Sequence, residues 1–239
     1  MSEHIVKSFD VELRELRNLV VEMGGYSEKS VVDSIDALLK RDISLAQMVI
    51  ALDGTIDALQ RTIEENAIVV IARRQPLALD LRELVSAIRV SNDLERIGDL
   101  GKNIAKRVVA LDGQMQPTKV FSGFSNMAEL VLEQLKQVLD AYAQANAEEA
   151  LNVWKSDGAV DALYNSLFRE LLTYMMEDPR NIGFCTHLLF CAKNIERIGD
   201  HATNIAETVH YLTTGGSPVG ERPKNDTTSM TIVPMSGAS

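Results

Sequence analysis

Apolar positions recur along this chain at helical spacing, in long stretches, and the whole plan occurs twice. From about residue 5 to 40, Leu13, Leu16, Val20, Met23, Val31, Ile35, Leu38 and Leu39 form one stripe, with an expected kink or bend at Gly24 and Gly25. From about 43 to 74 a second stripe runs through Leu45, Val49, Leu52, Ile56, Leu59 and Ile63, and Arg73 and Arg74 suit the negative end of that helix. A third helix follows Pro76 and stops near Leu111, before Asp112 and Gly113. Three further helical stretches repeat this plan, at about 121–145, 147–177 and 179–213, and strand alternation is hard to find anywhere.

The pattern predicts an all-α fold: two tandem antiparallel three-helix bundles related by an internal repeat. Residues 1–111 would form the first bundle, 112–119 a linker and 120–213 the second bundle. From 214 to 239 Gly, Ser, Pro and Thr take over, so this tail is expected to be disordered or weakly attached.

The repeat carries its own chemistry. Glu95-Arg96-Ile97-Gly98-Asp99 returns 101 positions later as Glu196-Arg197-Ile198-Gly199-Asp200, followed in both copies by Asn-Ile-Ala, at Asn103 and Asn204. Asp53-Gly-Thr-Ile-Asp57 recurs 104 positions later as Asp157-Gly-Ala-Val-Asp161. Each element sets two carboxylates four residues apart, hence on one helix face, where like charges cost roughly 0.2–0.5 kcal/mol. Both Asp53 with Asp99 and Asp57 with Glu95 are centred on Pro76. The second set, Asp157 with Asp200 and Asp161 with Glu196, is centred between Asp178 and Pro179. A turn at each proline therefore brings four carboxylates to one level in each bundle.

At 100° per residue, Glu95, Asp99 and Asn103 lie about 100°, 140° and 180° from Leu94, well off the core stripe, so the clusters are expected to open to solvent on the bundle flank. One account is a solvated face held by local pairs such as Asp99 with Arg96 or Lys102. The other is a metal site, favoured because Lys102 and Lys106 become Thr203 and Glu207 in the second copy while the carboxylates persist. Oxygen-only ligands suit Mg²⁺, Mn²⁺ or iron, with zinc also accommodated. His201, beside Asp200, reads as a structural histidine ahead of a nitrogen ligand. Glycine at 98 and 199 removes the Glu-x-x-His signature of di-iron oxidases.

Composition narrows the partners. A net charge of −10 over 239 residues gives no general attraction to nucleic acid. No stretch approaches the roughly 20 apolar residues of a membrane span, and charged residues from Glu3 to Glu12 interrupt any signal peptide, so a cytoplasmic protein is expected. Cys185 and Cys191 match no zinc or thioredoxin spacing and read as buried thiols. Arg73-Arg74-Gln75-Pro76 with Arg82 gathers positive charge at one bundle end, read as helix capping ahead of anion binding. Neither a phosphate-binding loop nor a nucleophile elbow stands out.

Asp-Leu-Glu-Arg-Ile-Gly-Asp at 93–99, Asn-Ile-Glu-Arg-Ile-Gly-Asp-His-Ala-Thr-Asn-Ile-Ala-Glu at 194–207 and Arg-Arg-Gln-Pro at 73–76 resemble the signatures of the PhoU family. The resemblance runs from about residue 5 to 213. It implies a PhoU-like pair of bundles without catalytic activity and a regulator that represses the phosphate-starvation response when phosphate is plentiful. The implied partners are the ATP-binding subunit of the phosphate ABC transporter and the cytoplasmic region of the phosphate-sensing histidine kinase, with recruitment to the inner membrane face. A homodimer is expected. Metal clusters of iron or zinc are implied on Asp53, Asp57, Glu95 and Asp99, and on Asp157, Asp161, Glu196 and Asp200. The competing expectation is a metal-dependent hydrolase or metal buffer that uses the carboxylates directly.

Overall fold

The structure, a computed structural model, describes residues 2–112 and 121–220, together with Arg222, Lys224, Asp226 and Thr228. Most of the expected linker and the end of the expected tail lie outside the described residues. Six helices and no strand are present among them: α1 (Ser2–Lys40), α2 (Ile43–Arg74), α3 (Leu79–Ala110), α4 (Phe121–Gln144), α5 (Ala147–Glu177) and α6 (Ile182–Thr214). The fold is all-α, as the apolar periodicity requires.

Local chemistry sets the helix ends. Arg41 and Ala145 take positive φ, and the next residue caps the following helix. The Asp42 carboxylate accepts from the Leu45 amide at 2.9 Å, and the Asn146 side chain accepts from the amides of Glu148 and Glu149. Helix α2 closes on Gln75, left-handed at φ 47°, whose amide donates to the Ile71 carbonyl. Pro76 and a second positive φ, 48° at Ala78, then reverse the chain into α3. At the equivalent turn the Asp178 carboxylate accepts from the Arg180 amide, and a single 3₁₀ turn from Pro179 leads into α6.

Helices α1, α2 and α3 pack mutually, as do α4, α5 and α6, and the two groups join through α3 against α6 and α1 against α4. Helix α1 runs unbroken through Gly24 and Gly25, so neither glycine acts as a helix stop. Gly24 instead gives α4 room, since a Cβ there would stand 2.8 Å from Leu139 Cδ2.

Helices α3 and α6 run antiparallel. Arg89 lies over the Tyr211 ring, Asp93 meets His201 at 2.8 Å and Asn204 at 3.3 Å, and Arg107 lies over the Phe190 ring at 4.1 Å. Residue numbers thus rise on one helix as they fall on the other, relating the two repeats by a pseudo-twofold axis near Gly98 and Gly199. The turns at Pro76 and Pro179 consequently stand at opposite ends of the molecule.

Along α3, Leu94 and Gly101 face α1, where the Ser27 hydroxyl donates to the Leu94 carbonyl and Ser30 packs on Gly101. Helical periodicity turns Glu95 and Asp99 the other way. The pseudo-twofold carries Glu196 and Asp200 to the same side of the molecule, the face opposite α1 and α4. Cys185 and Cys191 are free and buried, as expected, and burial pushes the Cys191 thiol up to about 12. Among the described residues, no helix is long and apolar enough to cross a membrane.

Candidate functional site

The first cluster forms where α2 crosses α3. The Lys102 ammonium donates to Asp53 and to Asp99, at 2.6 Å each, so the two aspartates meet through one cation. Arg96 reaches Glu95 at 3.3 Å and Asp99 at 3.9 Å. Burial, helped by the nearby negative charges of Asp99 and Asp57 and opposed by Arg96, raises the Glu95 carboxyl above its ordinary range. Burial opposes the charge on Lys102 as well, but its two hydrogen bonds outweigh that and raise its pKa. The levels expected from the turn at Pro76 are those observed.

The second cluster draws its cations from elsewhere. Position 203 holds threonine where the first copy has Lys102, and its hydroxyl donates to Asp157 at 2.9 Å but brings no charge. Arg222, in the segment after α6, supplies it. Its Nε donates to Asp157 at 2.7 Å, and one Nη donates to Asp157 at 3.1 Å and Asp200 at 2.6 Å. Its other Nη donates to Asn204. Lys224 stands 3.2 Å from Asp200, and Lys193 binds both Glu196 and Asp226. Burial pushes the Glu196 carboxyl upward, with Lys193 opposing.

Exposure corrects one expectation. The first cluster keeps solvent access, with the Asp99 side chain 31% exposed. Asp157, Asp161 and Glu196, at 4%, 5% and 4%, are buried, with Arg222 from the segment after α6 set against Asp157. The repeat could not signal this, since that segment lies outside it. Arg222 and Asp226 were likewise missed in a stretch without periodicity. The signal available was only that Arg222 and Lys224 stand together in a polar tail of a chain with two acidic columns.

His201 faces Asp93 across the α3–α6 seam and serves as a structural group there. Arg74 stands in the last turn of α2, as expected, and also ties that end to α1. It forms a two-pronged pair with Glu12 of α1 at 2.9 Å, and the Arg74 hydrogen bond holds the Glu12 carboxyl below its usual range.

The donor chemistry of both clusters suits a hard cation, but their arrangement does not fit one as it stands. Among the described residues no three such side chains converge on a point, and Lys102 and Arg222 occupy the space between the facing aspartates.

The fold and the doubled motif have close counterparts. The PhoU domain matches the chain twice, over residues 20–108 and 124–209. The "Phosphate-specific transport system accessory protein PhoU homolog" of Rhizobium meliloti (strain 1021) is 59% identical over 226 residues, 95% of each chain. The protein of that name from Caulobacter vibrioides (strain NA1000 / CB15N) is 50% identical over 96% of this chain and 100% of its own. The crystal structure of PhoU from Pseudomonas aeruginosa superposes with a TM-score of 0.83 at 40% identity, over 87% of this chain and all of that one. With both copies of the domain present and aligned relatives spanning nearly the whole length, the chain belongs to the PhoU family.

Proposed function

We propose that the protein is a non-enzymatic regulator of phosphate uptake that acts by binding other proteins. The observation that carries this reading is the match of both repeats, over nearly the full length, to relatives named as accessory proteins of phosphate-specific transport. The partners proposed are the ATP-binding subunit of a phosphate transporter and the cytoplasmic region of a phosphate-sensing histidine kinase. Docking to them recruits the protein to the inner face of the membrane and represses the phosphate-starvation response when phosphate is plentiful. The acidic surface, part of a net charge of −10, complements basic patches and steers encounter with them. The hydrolase reading is disfavoured because Lys102 and Arg222 engage the carboxylates that such an enzyme would leave for its metal.

Deleting the protein in its own host tests this. A reporter on a phosphate-starvation promoter is expected to stay on in rich phosphate, and the purified chain to turn over no phosphoester with Mn²⁺, Fe²⁺ or Zn²⁺. A reporter that still switches off, or turnover that Asp157→Asn abolishes, contradicts the reading.

A further inference from the structure

The turn between α2 and α3 carries an apolar surface that the bundle does not bury. Leu77 and Leu79 are 81% and 61% exposed, and Ile68, Val69 and Leu81 beside them face solvent as well. A single exposed leucine is ordinary, but a group of this size at one end of a molecule marks a contact surface. The equivalent turn of the second repeat shows that the hairpin itself needs no leucines. It reads Glu177-Asp178-Pro179-Arg180-Asn181, with Arg180 folded onto Asp178 at 2.7 Å. Shape and charge then select the occupant. Leu77 and Ala78 lie between the end of α2 and the start of α3, so the apolar group sits on a convex apex and not in a groove. A lipid interface accepts such an apex without a preformed cleft. Residues 10–17 and 66–83, joined at this end by the pairs of Glu12 with Arg74 and Arg17 with Glu83, hold five arginines and five acidic residues. The net charge of −10 therefore lies on the rest of the chain, and repulsion from an anionic surface is weakest here. Arg73, just behind the leucines, has a side chain 65% exposed.

We propose that the α2–α3 turn inserts Leu77 and Leu79 into the interface of a phospholipid bilayer, with Arg73 on the lipid phosphates, so that the chain stands end-on on the membrane. Leucines at the apex enter the acyl boundary, while an arginine set back from them lays its stem along the apolar surface and keeps its guanidinium at headgroup level. One short apex gives weak, reversible binding, which adds to protein docking by holding the chain at the membrane surface. Because the two turns stand at opposite ends of the molecule, the Pro179 turn points away from the bilayer and the carboxylate face stays open to protein partners. The inference concerns the purified chain on bare lipid, so its failure would leave the regulatory reading standing.

Flotation of the full-length chain with vesicles tests this, using phosphatidylethanolamine with phosphatidylglycerol in one arm and phosphatidylcholine alone in the other. Wild type is expected to partition onto the anionic vesicles. Leu77→Asp with Leu79→Asp should lower that partitioning roughly tenfold or more, as expected for lost leucine burial. Arg73→Gln should lower it about fivefold on the anionic vesicles, the effect of one basic side chain near such a surface, and little on phosphatidylcholine. Met176→Asp with Ile182→Asp, at the exposed positions of the opposite turn, should bind as wild type does. All these sites are exposed, and circular dichroism confirms that the variants are folded. In Leu77→Trp, lipids brominated on their acyl chains should quench the new indole, whereas Trp154 of the wild type, buried in the second bundle, should keep its emission. Wild type that floats with neither vesicle overturns the proposal, as does equal partitioning of wild type and the Leu77 and Leu79 double variant. A dimer in sedimentation equilibrium that this double variant dissolves, without vesicle binding, gives the apex to a second copy of the chain and also overturns it.

Discussion

Lys102 and Thr203 are equivalent residues of the repeat, and this one difference decides where each cluster finds its positive charge. Lys102 is partly buried between two aspartates, so its loss falls between the near-zero value of a surface pair and the several kcal/mol of a fully buried one. Lys102→Thr is expected to destabilise the protein by about 1–3 kcal/mol in urea unfolding, with much of that recovered when a divalent cation is added. Loss of less than the error of the measurement would mean that Asp53 and Asp99 are solvated independently. Glu196 gives a pH signature. Burial raises its carboxyl in the folded state above the ordinary 4.5, so the native state holds the proton more tightly than the unfolded chain does. Its contribution to stability is fully present below the unfolded value and falls away as pH rises through the folded one. Glu196→Gln removes this dependence, so the variant should gain on the wild type as pH rises from 4 toward neutrality. Unfolding midpoints over that range that stay parallel would contradict the assignment.

At the scale of the helices, most of the fold was legible from the spacing of apolar residues, and the reason is physical. The bounds of α2 coincide with those expected because Asp42 caps its start and Gln75 with Pro76 closes its end. The start of α3 was less legible, since Gln75 and Ala78 adopt left-handed backbone without being glycine. The carboxylate level was legible because two antiparallel helices about a known turn leave it no freedom. Close approach was not. Gly98 and Gly199 are the same residue of the repeat, but a Cβ would fall 2.8 Å from Ile56 Cδ1 at the first and no nearer than 3.5 Å to any atom at the second. Gly98→Ala should therefore cost about 1–3 kcal/mol through overpacking. Gly199→Ala should be neutral or gain up to about 1 kcal/mol from helix propensity. Thermal melts of the two variants decide this, and equal effects would refute the difference in packing.

For the whole molecule, antiparallel contact between α3 and α6 arranges both clusters on one face and leaves the segment after α6 to break the symmetry. That asymmetry was invisible in the repeat, because Arg222 lies outside it in a stretch with no periodicity to place it. Asp93 links the halves by accepting from Asn204 and pairing with His201, so Asp93→Ala should cost about 1–2 kcal/mol by leaving partly buried groups unpaired. Unchanged stability in that variant would show that packing alone carries the seam. The functional account itself rests on association, and its most direct measurement is a calorimetric titration of the purified chain against the ATP-binding subunit of its host's phosphate transporter and against the kinase's cytoplasmic region. Measurable binding to at least one of them, altered by phosphate or by divalent cation, is the expected result. No binding to either under any of these conditions would contradict it.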